Sequence, residues 1–135
     1  MTSQAATATA RPPIHMIDTE ADALTNLALG VADRLPELSE MLLEEIARAT
    51  LHEAADLPPD VVSMNATVRF ADEANGREHH YRLVYPGDAD ISAGRLSILT
   101  PIGAGLIGLS RGQSILWPDR TGKTRRLEIL GVEQA

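Results

Sequence analysis

Apolar side chains at Ala21, Leu24, Leu27, Ala28 and Val31 recur at the interval of one face of a helix. Asp18 or Thr19 stands where an N-cap belongs, so the pattern predicts a helix from about 18 to 32. Pro36 suits the first turn of a second helix reaching Leu51, striped by Leu38, Leu42, Ile46 and Ala49. Met41, Leu43 and Leu51 fall off that stripe, so this helix needs a second apolar neighbour: the body of the protein, a partner, or another copy seamed through Leu43 and Leu51. The two helices are joined by a few residues around Asp33–Pro36 and predict an antiparallel hairpin. Prolines at 58 and 59 stop the helical pattern. Beyond them the period becomes two, at Thr67–Asp72 and Glu78–Tyr85, with the Asn75-Gly76 turn signal between. Leu96–Leu99 reads as a further strand, Pro101 opens a short helix, and Ile115–Trp117 with Arg125–Leu130 reads as a closing hairpin turning through Asp119–Lys123. The predicted class is α+β: a helical hairpin, then a bent antiparallel sheet of four or five strands carrying one short helix. The boundaries expected are a disordered tail over 1–16, an acidic hairpin over 17–56 and a second domain over 57–135.

Charge sharpens that division. The chain carries a net charge of −7. All of the excess lies before Pro59, where ten acids face Arg11, Arg34 and Arg48, while the remainder is balanced. An acidic hairpin repels nucleic-acid backbones, so no direct sequence-specific DNA or RNA binding is expected. Aromatic residues make up 3% of the chain, too few for a base-stacking platform. There is no cysteine, hence no disulfide and no thiolate chemistry. No apolar run approaches the ~20 residues of a membrane span. Met1–Pro13 is rich in Ala and Thr and lacks the apolar stretch of a signal, so a cytoplasmic protein without membrane association is expected.

Two nucleotide-binding motifs fail on context. Gly103-Ala-Gly105-Leu-Ile-Gly108 spells G-x-G-x-x-G, but its glycines lie inside the predicted short helix rather than ahead of it. Thr121-Gly-Lys-Thr124 looks like the end of a P-loop, yet Trp117 occupies the position of the first glycine. The histidines offer no metal site: His79 and His80 alternate across a strand, and His15 and His52 have no partner at ligand spacing. Asp33 and Glu37 flank the hairpin tip with Arg34 between them, two carboxylates where a hard cation needs several oxygens. Neither metal, cofactor nor catalytic residue is expected.

The pieces Tyr81-Arg-Leu-Val84, Asp90-Ile-Ser-Ala-Gly94, Leu96-Ser-Ile-Leu-Thr-Pro-Ile102, Leu106-Ile-Gly108 and Gly112 resemble the C-terminal domain of the bacterial Gre transcript-cleavage factors, which has an FKBP-like fold. Leu57-Pro-Pro-Asp-Val-Val-Ser-Met-Asn65 and Leu83-Val-Tyr-Pro86 are similar to a narrower family, the Rnk proteins or regulators of nucleoside diphosphate kinase. The resemblance implies a non-enzymatic factor bound to RNA polymerase, on the β′ coiled coil at the rim of the secondary channel. The docking element would be the strand–proline turn, here Ser97, Leu99, Thr100, Pro101 and Ile102. Gly108 would close the helix, with Gly103 and Gly105 as variable filler. It also implies competition with Gre-type factors, and a link to nucleoside diphosphate kinase as the alternative. Two departures stand out. The acidic pair at the tip of the cleavage factors' long coiled coil is not reproduced by Asp33, Arg34 and Glu37, and Leu99 replaces the family's polar residue two before the proline.

Overall fold

The structure, a computed structural model, describes residues 12–73, 75–118 and 124–134. Its elements run β1 (His15–Ile17), α1 (Asp18–Gly30), α2 (Pro36–Arg48), β2 (Thr50–His52), β3 (Thr67–Asp72), β4 (Arg77–Val84), β5 (Arg95–Ser97), α3 (Pro101–Leu106), β6 (Ser114–Pro118) and β7 (Thr124–Glu133). The five-stranded sheet has the order β5-β4-β3-β7-β6. The α+β class, the helical hairpin and the short helix beside the sheet therefore hold. The expected turn at 119–123 and the tail up to residue 11 lie outside the described residues.

The core face of the sheet follows from the alternation. Val68 and Phe70 of β3 are buried, and their cross-strand partners Tyr81 and His79 lie on the same face. On β7, Leu127 and Ile129 complete it, facing Ile115 of β6. A bulge beside Leu130 shifts the β3–β7 register between Arg69 and Phe70. Onto this face pack Ile98, Ala104, Leu106, Ile107 and Leu109 from the α3 segment, and Leu24, Ala28 and Leu42 from the hairpin. One apolar core thus unites hairpin and sheet.

Several expectations change. Strand β5 joins β4 in parallel, Leu83 opposite Leu96, because the connection over 85–94 crosses over instead of reversing. That crossover folds through two single 3-10 turns, Pro86–Asp88 and Ile91–Ala93. The second helix ends at Arg48, three residues short of Leu51. Leu51 lies in β2, more than half exposed, so it forms no helical seam with Leu43. The segment just before residue 17 is ordered: β1 pairs in parallel with β2, and Ile14 and Met16 are buried. The hairpin is therefore clasped at its base by a two-stranded ladder formed from the residues that enter and leave it.

Candidate polymerase-docking turn and its supports

The candidate surface is the turn that leaves β5. Ser97 turns its backbone carbonyl inward, where it accepts from the Thr100 hydroxyl at 2.7 Å and the Thr100 N–H at 3.2 Å. The Ser97 hydroxyl accepts from the Leu99 N–H at 3.0 Å. Thr100 also caps α3, its Oγ1 accepting from the Gly103 N–H at 3.1 Å. Pro101 occupies the first helical position, where it has no N–H to leave unpaired. The reversal is thus held by hydrogen bonds among its own residues. Ile98 points into the core, Leu99 packs partly against it, and Pro101 and Ile102 are exposed. The five residues singled out in the sequence form one continuous feature.

The packing beneath this turn corrects the reading of its glycines. Gly103 is not filler: a Cβ there would overlap the Ser97 carbonyl oxygen and come within 3.1 Å of the Ile98 Cα. Gly108 has φ of +84°, and its Cβ would lie 2.9 Å from that of Ile14. Its backbone is a junction. The Gly108 N–H donates to the Val62 carbonyl at 2.9 Å, and its own carbonyl accepts from the His15 N–H at 3.0 Å. The end of α3, the segment entering the sheet and the clasp at the hairpin base therefore meet at one residue.

That clasp brings together two residues that sequence distance hides. His15 Nδ1 and His52 Nε2 lie 2.9 Å apart and share a hydrogen bond, one imidazole donating and the other accepting. The sequence offered neither histidine a partner at metal-ligand spacing and gave no sign that the two meet. Two three-residue strands carry too little periodicity to announce a parallel pair across 37 positions. Among the described residues no group of three or more potential metal-ligating side chains occurs.

The hairpin is tied down at three further places. Ser39 donates to the Ala28 carbonyl at 2.8 Å, joining the two helices. Arg48 forms a forked pair with Glu45, at 2.6 and 2.9 Å, and also donates to the Pro12 carbonyl. Glu20 accepts from the Met64 N–H at 3.0 Å. Burial holds the Glu20 carboxyl above its usual range despite that hydrogen bond. Burial, and then the Glu20 charge, also raise the Tyr85 phenol. At the far end of the hairpin Asp33, Arg34 and Glu37 are all exposed. Each helix has 13 residues, hence a length of about 20 Å. No helix among the described residues is long and apolar enough to cross a membrane.

The loop that feeds β5 is shaped by Asp90, whose carboxylate accepts from the Ser92 hydroxyl at 2.6 Å and the Ser92 N–H at 3.2 Å. The Ser92 hydroxyl is the main reason this carboxyl titrates below its usual range. Gly94 then takes the left-handed conformation that ends the turn, φ +78°.

Comparisons with known proteins agree with this geometry. The family described as transcription elongation factor, GreA/GreB, C-term, matches residues 57–134. The regulator of nucleoside diphosphate kinase from Escherichia coli strain K12 is 34% identical over 123 residues, covering 91% of this chain and 90% of its own. The transcription elongation factor GreA of Azorhizobium caulinodans is 34% identical over 118 residues, 84% of this chain and 74% of that one. Among solved structures, the GreA/GreB elongation factor from Nitrosomonas europaea superposes with a TM-score of 0.73 at 37% identity, covering 89% of this chain and 98% of its own. The two stretches 57–65 and 83–86, the clasped short hairpin and the capped turn before α3 accordingly have one explanation: the chain belongs to the Rnk family, the regulators of nucleoside diphosphate kinase, and carries a GreA/GreB C-terminal domain.

Proposed function

We propose that the protein is a non-enzymatic regulator that binds RNA polymerase at the rim of the secondary channel and competes there with Gre-type factors, without stimulating transcript cleavage. The observation that carries this reading is the turn over 97–102. Its reversal is locked by Thr100 and Pro101 while Pro101 and Ile102 stay exposed, so little conformational freedom is lost on docking. The GreA/GreB match over the same residues supports the choice of partner. Capture of the protein by immobilised core polymerase, with and without excess GreA, tests it. Capture that GreA displaces is the expected result; no capture, or capture indifferent to GreA, contradicts it.

A second reading is a direct complex with nucleoside diphosphate kinase, favoured by the name that the Escherichia coli relative bears. Size-exclusion of the two purified proteins together separates the readings. Co-elution supports the complex, and independent peaks remove it.

A further inference from the structure

The outer face of the sheet, opposite the core, carries a groove of about 390 Å³ that involves none of the residues of the docking turn. Three cationic or potentially cationic side chains reach it from separate parts of the chain: Arg69 from β3, His80 from β4 and Arg111 from the loop after α3. Thr67, Gly131 and Glu133 contribute to its walls. Arg69 and His80 are direct cross-strand partners, and Gly131 is the partner of Arg69 on the other side. The bulge beside Leu130 sits immediately next to that pairing, and bulges of this kind commonly re-aim side chains at binding sites. With no side chain at Gly131, the Arg69 guanidinium settles over its backbone, 3.4 Å from where a Cβ would stand. The Arg111 loop is fixed by its own main chain: Arg111 N–H donates to the Asp60 carbonyl at 3.0 Å, and Gly112 N–H to that of Ile129 at 2.8 Å.

Gathering these groups in one concavity has an electrostatic cost that only part of the surroundings relieves. Arg69 has a loose ion pair with Glu78 at 3.8 Å. The His80 and Arg111 side chains have no hydrogen-bond or ion-pair partner among the described residues. Two guanidinium forks and an imidazole match a phosphate group, which offers oxygens to several donors at once.

We propose that this groove binds a small phosphate-bearing molecule, the phosphate held by Arg69, Arg111 and His80. Its volume suits a ligand of mononucleotide size. Glu133 on the wall can accept from ligand hydroxyls. A nucleic-acid strand fits less well, because a bounded groove on a protein of net charge −7 offers no continuous basic track. This inference does not rest on polymerase binding.

Calorimetric titration of the full chain with pyrophosphate, and separately with ADP, tests the site. Saturable binding of either is expected. Arg111→Gln or Arg69→Gln should each weaken it about tenfold or more, the loss of a hydrogen bond to a charged group. Both side chains are exposed, so an unchanged melting temperature should show that the variants fold. Arg126→Gln is the control, since Arg126 lies on the same sheet outside the groove and pairs with Glu73 at 3.7 Å. It should leave the affinity unchanged. Three results overturn the proposal: no saturable binding, equal weakening by Arg126→Gln, or tighter binding of a short single-stranded RNA than of either small ligand.

Discussion

Gly108 and Glu20 show how much of this fold depends on single positions that hydrophobic patterning treats as incidental. Replacing Gly108 by Ala forces a side chain into a left-handed conformation against Ile14 and the His15 carbonyl, and should destabilise the protein by about 2 kcal/mol. Thermal or urea unfolding reads this directly; an unchanged midpoint would mean that the junction is not rigid. Glu20 makes a pH-dependent prediction. Burial raises its carboxyl above 4.5, so the folded state holds the proton more tightly than the unfolded chain does. The charged form therefore costs stability at neutral pH, and the cost fades as pH falls through the raised value to below 4.5. Glu20→Gln keeps an acceptor for the Met64 N–H and removes the charge. It should raise the melting temperature at neutral pH, by an amount that disappears in acid; a constant difference at both would contradict the burial effect. Gly108 as the residue that closes the helix was legible only through the family resemblance, because the local pattern lets the helix run on to Gly112, whereas it ends at Leu106. The close approach at Gly103 was not, since nothing local marks which backbone will pass within contact distance.

The turn over 97–102 and the hairpin differ in how they came to be legible. Ser97, Thr100 and Pro101 form a cap whose hydrogen bonds are all local; Pro101 marked the helix start in the sequence, while the turn as a docking element came from the family resemblance. Strand β5 gave no such indication of its direction, because parallel and antiparallel neighbours have the same alternation and only the crossover over 85–94 decides. The clasp of β1 on β2 was likewise hidden, and with it the early end of α2: no proline or glycine stops the helix before Leu51, but Thr50–His52 is drawn into a ladder by β1. The cap permits a separation of stability from docking. Thr100→Ala removes the cap and should cost about 1 kcal/mol, along with affinity for polymerase. Ile102→Glu alters only an exposed side chain; it should leave the melting temperature in place and weaken polymerase binding roughly tenfold if Ile102 is a contact anchor. Parallel melting curves and binding isotherms check both. Equal affinity for Ile102→Glu and the wild type would move the docking surface elsewhere.

Hairpin and sheet are joined by a common core and by the Gly108 junction, with α3 of the candidate docking turn packed on α2 and Asp33, Arg34 and Glu37 exposed around the loop between the two hairpin helices. That arrangement bears on catalysis through length. Activating transcript cleavage requires carboxylate oxygens within about 2.1 Å of a catalytic Mg²⁺. Hairpin helices of about 20 Å, ending in two carboxylates separated by Arg34, give little reach and no clustered acids. Two proteins that use one docking surface exclude each other by mass action. Transcript length in a backtracked elongation complex, followed with this protein alone and then with increasing amounts of it against fixed GreA, measures both consequences in one assay. No shortening by the protein alone is expected, with progressive loss of the GreA-dependent shortening, unchanged by Asp33→Ala or Glu37→Ala. Shortening by the wild type that Asp33→Ala abolishes, or GreA activity that no excess of the protein reduces, would contradict it.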